Sequence, residues 1–171
     1  MTLLRTLILI LTTYGLVAAD KVKPRPRDNV KVTPAAEKII QGALKYMASQ
    51  QKADGSWGSS REEARHPVAL TGYVLIAFQA AGNLPGEGPY GKQVTKGMNY
   101  LLTQIGPGGI YGNNASGQYM YGHGVATIAL GELYGQTKSP IIRAKLEKTI
   151  KLIIASQNSQ GGWRYRPAVR D

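Results

Sequence analysis

What most constrains the fold of this chain is an internal repeat. Gln51, Gly55 and Trp57 recur as Gln157, Gly161 and Trp163, each 106 residues later. A degenerate copy, Gln104, Gly109 and Tyr111, lies 53 or 54 residues after the first set. Upstream of these positions, Tyr46 and Met47 recur as Tyr100 and Leu101 and then as Leu152 and Ile153. A unit of about 53 residues is therefore present about two and a half times. Units of that length stack, because none can bury its apolar face alone.

The segment before each motif has the apolar spacing of an amphipathic helix. Thr33 suits an N-cap and Pro34 a first helical position, after which Ile40, Ala43, Leu44 and Met47 share a face. The second copy runs through Val94, Met98, Leu101, Leu102 and Ile105. The third opens at Ser139 and Pro140 and continues through Ile142, Leu146, Ile150, Ile153 and Ile154. Between the motifs lie helices apolar nearly all round, Val68 to Ala81 closed by Gly82, and Val125 to Tyr134 closed by Gly135. A helix without a wet face is expected to be buried on every side. The expected fold is all-α, a partial (α/α) toroid of alternating outer amphipathic and inner apolar helices.

Each motif sits just past the end of an outer helix. Glycine permits the left-handed turn that stops it, the glutamine amide satisfies orphaned backbone groups, and the aromatic ring covers the junction. Gln51, Gly55, Trp57, Gln104, Gly109, Tyr111, Gln157, Gly161 and Trp163 are thus read as structural clasps and not as catalytic groups.

The stretches from Gly42 to Trp57 and from Lys148 to Trp163 resemble the glutamine-tryptophan repeat of squalene-hopene cyclases and their prenyltransferase relatives. Gly42, Tyr46, Met47, Gln51, Gly55 and Trp57 match its spacing, whereas the middle copy carries an extra residue and Tyr111 for tryptophan. The resemblance covers residues 35 to 165 and implies the toroid of inner and outer helices. It does not bring the chemistry with it. The cyclases protonate an alkene from an Asp-x-Asp-Asp motif, and the four aspartates here, Asp20, Asp28, Asp54 and Asp171, do not form one. Protein prenyltransferases hold zinc with aspartate, cysteine and histidine, and this chain has no cysteine, which also removes a thioester. His123, Gly124 and Thr127 are similar to a His-Gly-x-x-Thr of some prenyltransferase β subunits, where the histidine contacts an isoprenoid diphosphate.

Residues 1 to 19 place Arg5 ahead of an apolar run from Leu7 to Leu16, then Val17, Ala18 and Ala19 before Asp20. That is the layout of a secretory signal peptide cleaved after Ala19, so the chain is expected to be exported, periplasmic or extracellular. A membrane anchor is the competing reading, but spanning takes about 20 apolar residues and Thr12 to Gly15 interrupt this run. Residues 20 to 33 read as a basic, proline-spaced linker and 34 to 171 as the repeat domain. The net charge of +11 also draws on Lys138, Arg143, Lys145, Lys148, Lys151, Arg164, Arg166 and Arg170 near the C-terminus. Such charge suits an anionic membrane surface, acidic polysaccharide or phosphate, or simply a solvated face; no nucleic-acid recognition module accompanies it. Asn114, Ala115 and Ser116 form a glycosylation sequon.

The two histidines, His66 and His123, each precede a Val-Ala pair at the opening of an apolar helix. Either they cap and pack, or, with Tyr121 nearby, they contact an anionic group at a helix N-terminus. Two histidines without a third ligand make no metal site, and no cofactor is implied. The aromatic-to-histidine spacing places the start of a third apolar helix near 172 to 175, past Asp171. The chain is therefore expected to be a piece of a longer one, with the apolar side of residues 142 to 154 exposed and prone to self-association. Two functions fit: a non-catalytic module binding an apolar or isoprenoid, anionic or peptide ligand, or a cyclase or transferase whose acid or metal residues lie in further sequence.

Overall fold

The computed structural model describes residues 31 to 112 and 119 to 166. The signal-peptide reading, most of the basic linker, the sequon at Asn114 and Arg170 all lie outside the described residues. The chain from Thr33 onward forms one compact unit. Its helices are α1 (Pro34–Ser49), α2 (Pro67–Ala80), α3 (Gly91–Gln104), α4 (Tyr119–Thr137) and α5 (Pro140–Ala155), with a single 3-10 turn at Glu63–Arg65. The protein is all-α; among the described residues the only β pairings are isolated bridges, Leu84 to Glu87 and Ile105 to Tyr111.

Local chemistry sets most of these boundaries. Thr33 caps α1, its hydroxyl accepting from the Ala36 amide at 3.2 Å, with Pro34 in the first turn. Pro67 starts α2 directly after His66, and Gly82, at φ 79°, turns the chain away after its end. α4 departs from expectation at both ends. It begins at Tyr119, since nothing between that residue and His123 breaks a helix, whereas proline follows His66. It also continues through Gly135, and Lys138 takes the left-handed position instead, at φ 54°. The Thr137 hydroxyl donates back to the Leu133 carbonyl at 2.7 Å and accepts from the Ser139 amide, which fastens that exit.

α2 and α4 pack side by side at the centre, with α3 and α1 against α2 and α5 against α4. Small residues let the two central helices approach closely. A Cβ on Gly72 would lie 3.0 Å from Val125 Cγ1 and 3.1 Å from the Ala126 backbone; one on Gly122 would lie 3.4 Å from Ala69. Ala69 thus meets Gly122 and Gly72 meets Ala126, so contacts advance together and the helices run parallel. Farther along, the Gln79 amide donates to the Ala129 carbonyl at 3.3 Å. Leu75, Phe78, Val94, Leu101, Leu130, Leu133 and Ile142 fill the space around this contact. Burying each such side chain stabilises the fold by about 1.5–3 kcal/mol relative to exposure.

The apolar helices are not buried on every side. Tyr73 on α2 and Tyr121 and Ile128 on α4 are exposed, because α4 has neighbours on only part of its circumference and α2 turns Tyr73 away from its partners. The α5 stripe divides likewise: Ile142 and Leu146 are buried, whereas Ile150 and Ile154 face out.

Candidate functional site

The three glycine turns share one geometry. Gly55, Gly109 and Gly161 have φ of 89°, 84° and 82°, and each donates its amide three residues back at 3.0 Å, to Lys52, Gly106 and Asn158. Those residues in turn donate at 2.9 Å to the carbonyls of Ser56, Ile110 and Gly162. In the outer copies the glutamine amide donates to the glycine carbonyl, Gln51 to Gly55 at 3.0 Å and Gln157 to Gly161 at 2.7 Å. The indole N–H reaches back to the end of the preceding helix, Trp57 to the Met47 carbonyl and Trp163 to that of Ile153, both at 2.7 Å. In the middle copy the Gln104 carbonyl accepts from the Gly112 amide at 2.8 Å.

Their surroundings differ. The first turn docks on α3: Gln51 also donates to the Gln93 carbonyl at 2.9 Å, and a Cβ on Gly55 would lie 2.4 Å from the Lys96 carbonyl oxygen. The second docks on α5, where a Cβ on Gly109 would lie 2.3 Å from the Lys148 carbonyl oxygen. Around Gly161 the nearest such neighbour is the side chain of Gln157 itself, at 3.8 Å. Accordingly Trp57 and Tyr111 are buried and Trp163 is half exposed.

The two histidines part company. His66 is the exposed N-cap residue of α2 and makes no side-chain cap bond. His123 lies a turn inside α4, fully buried. Its Nε2 donates to the Thr149 carbonyl at 3.2 Å, which puts the proton on that nitrogen and leaves Nδ1 without a partner. The ring stands edge-on to Tyr111 at 5.0 Å. Burial lowers the His123 pKa below its ordinary value, against a smaller upward pull from the Thr149 carbonyl, so the ring is neutral near pH 7. Burial pushes the Tyr111 phenol up to about 12, and the Thr127 and Thr149 hydroxyls beside it offset little of that. Neither hydroxyl reaches hydrogen-bonding geometry with the phenol, and Thr127 Oγ1 is also unpartnered. This polar knot was missed in the sequence. Its signals were Thr127 four residues after His123 on one helix and the tyrosine replacing tryptophan in the middle copy.

Tyr121, two residues before His123 and so about 200° away around the helix, faces the opposite way into a cavity. That cavity, of about 460 Å³, is lined by Met120, Tyr121, Gly124, Ile153, Trp163, Arg164 and Tyr165. Tyr121 and Tyr165 meet edge to face at 5.5 Å, and the Met120 amide donates to the Tyr165 carbonyl at 3.2 Å, tying the last turn to α4. Of the three sequence candidates the structure therefore puts Tyr121 in a cavity wall, His123 in the core behind it and His66 on the surface. Gln157 holds the turn at Gly161, two residues before the Trp163 of the wall. Among the described residues no group of three or more histidine, aspartate or glutamate side chains is placed to hold a metal ion, and no helix is long and apolar enough to cross a membrane.

No family model matches the chain, and neither a curated protein nor a solved structure does.

Proposed function

We propose that this chain is an exported, non-catalytic binding module, a partial (α/α) toroid of the squalene-cyclase and prenyltransferase repeat type. The observation that carries the reading is the aromatic cavity beside α4. Its volume falls within the range of small-molecule sites, and Tyr121, Trp163, Tyr165, Met120 and Ile153 present apolar surface with few polar groups. Among the described residues of the lining Arg164 is the charged one, and a guanidinium beside apolar surface suits an apolar ligand with an anionic end, such as an isoprenoid phosphate. The parallel α2–α4 pair and the three like turns support the toroid assignment. A binding role is favoured over catalysis because the buried imidazole of His123 is engaged with a backbone carbonyl and turned from the cavity.

Trp163 is a built-in reporter, half exposed in the cavity wall while Trp57 is buried. Titration with farnesol and with farnesyl diphosphate should quench its fluorescence saturably, the diphosphate binding more tightly. Tyr121→Ala should weaken both about tenfold, consistent with loss of about 1.4 kcal/mol of contact. His123→Gln should leave both affinities unchanged. Absence of saturable binding, or affinity indifferent to Tyr121→Ala, would sink the assignment.

A further inference from the structure

The first two joints of the repeat are built alike and filled differently. Where α3 receives the first turn, Trp57 lies against apolar groups. A Cβ on Gly97 would lie 2.9 Å from Trp57 Cζ3 and 3.0 Å from Leu75 Cδ2, and the Phe78 ring is 6.1 Å from that of Trp57. Where α5 receives the second turn, Tyr111 and Thr149 stand at the repeat positions of Trp57 and Gly97, with His123 and Thr127 beside them. All four are buried, yet Tyr111 Oη, His123 Nδ1 and Thr127 Oγ1 have no hydrogen-bond partner. An apolar filling serves the first joint. The polar filling makes the seam between α4 and α5 the weaker one, because a buried polar atom without a partner has given up hydration for nothing.

The bond across that seam leads to the cavity. His123 Nε2 donates to the Thr149 carbonyl, the same carbonyl that within an α-helix accepts the amide of Ile153. Ile153 lines the cavity, and its own carbonyl accepts the indole N–H of Trp163 at 2.7 Å. On the α4 side, Met120, Tyr121 and Gly124 flank His123 in sequence and form part of the same wall. The histidine bond thus ties α4 to α5 directly behind the cavity they share.

Among the described residues no group is placed to hold the ring as a cation. Burial acts on it most and the Thr149 carbonyl less, with no charged group adding to them. The second turn brings only the Tyr111 phenol, whose pKa burial pushes up to about 12. α5 brings Lys145, whose amine donates to the Ile105 carbonyl at 2.8 Å, the exposed Lys148 and Lys151, and the exposed Glu147, which binds Arg143. α4 carries Glu132 nine residues on, with Tyr134 beyond it, and Tyr121 on its other side. α2 has no charged side chain, only the exposed Tyr73, and His66 at its start is exposed.

We propose that His123 is an acid latch: when its ring takes up a proton, α5 parts from α4 and the cavity between them opens. The neutral ring closes the seam with one N–H on the Thr149 carbonyl. The imidazolium carries a second N–H and a full charge, and the Tyr111 and Thr127 hydroxyls beside it are neutral dipoles that leave the charge unbalanced. Water reaches the ring by displacing α5, since Thr149 covers its Nε2 edge. The opening is local, because α3 and the first joint share no part of this polar knot. Its use in releasing a bound molecule rests on the ligand reading above; the latch itself does not.

Amide hydrogen exchange of the full chain at about pH 7.5 and 5.5, corrected for the intrinsic pH dependence of exchange, tests this. With the ordinary value of 6.5 in the open state, acid should favour opening about tenfold over that range. Exchange should rise by about that factor in α5 and in the second turn seated on it, and stay level in α2 and α3. The rise should vanish in His123→Gln and survive in His66→Gln, which alters the only other histidine at an exposed position. Should His123→Gln not fold, the regional pattern and His66→Gln still decide. No rise, an even rise across all helices, a rise that persists in His123→Gln or one lost in His66→Gln would overturn the latch. Farnesol, which has no group titrating in this range, supplies the second arm. If it slows α5 exchange at the lower pH, the cavity closes on it; if exchange rises as expected and farnesol leaves it unaltered, the binding reading fails and the latch stands.

Discussion

One side chain carries different chemistry according to what lies behind it, and the histidines show this most clearly. Both precede a Val-Ala pair, yet Pro67 leaves His66 outside its helix while α4 extends past His123 and draws it into the core. The sequence pairing was visible; the burial was not, because it depends on the Thr149 carbonyl of α5, 26 residues away. A pH dependence follows. Burial holds the folded ring below the ordinary value of 6.5, so the unfolded chain takes up the proton first as the solution is acidified. The stability contributed by neutral His123 is therefore complete above that value and is lost as pH falls below it, until the folded ring itself protonates. The slope cannot exceed about 1.4 kcal/mol per pH unit for one proton. Urea denaturation between about pH 7.5 and 5.5 should show the wild-type midpoint falling with acid and a flatter profile for His123→Gln. Equal slopes for the two proteins would exclude His123 as the source.

At the scale of the element, the sequence was most legible where a residue acts on its own neighbours. Thr33 with Pro34, Pro67, Gly82 and Pro140 mark boundaries by local backbone chemistry, and the five helices stand where the apolar spacing puts them. It was least legible at α4, whose length depends on the absence of a breaker between Tyr119 and His123 and whose exit is made by Lys138 and Thr137 in place of Gly135. The glycine turns combine a local and a tertiary demand, and substitution separates the two. Gly109→Ala meets both, a positive φ and a Cβ 2.3 Å from the Lys148 carbonyl oxygen, and should destabilise by about 3 kcal/mol or more. Gly161→Ala meets only the backbone demand, since among the described residues nothing but Gln157 lies near it, and should cost about 1 kcal/mol. Denaturant midpoints of the two variants measure the difference, and equal losses would mean that the packing of the second turn on α5 adds nothing.

For the molecule as a whole, charge and apolar surface act against each other, and ionic strength separates them. The chain carries a net charge of +11, so copies approaching one another repel, while Ile40, Ile150, Ile154 and Trp163 expose apolar surface that contact between copies would bury. Salt at about 0.5 M shortens the screening length to roughly 4 Å and relieves that repulsion without weakening apolar burial. Self-association should therefore strengthen as salt is raised. Any attraction of the same charge to an anionic vesicle should weaken over the same range, because there the opposite signs do the binding. Sedimentation and vesicle flotation, run side by side from low to high salt, should move in opposite directions. If both fell together, the contact between copies would have to be ionic, and the exposed apolar side chains would not be its basis.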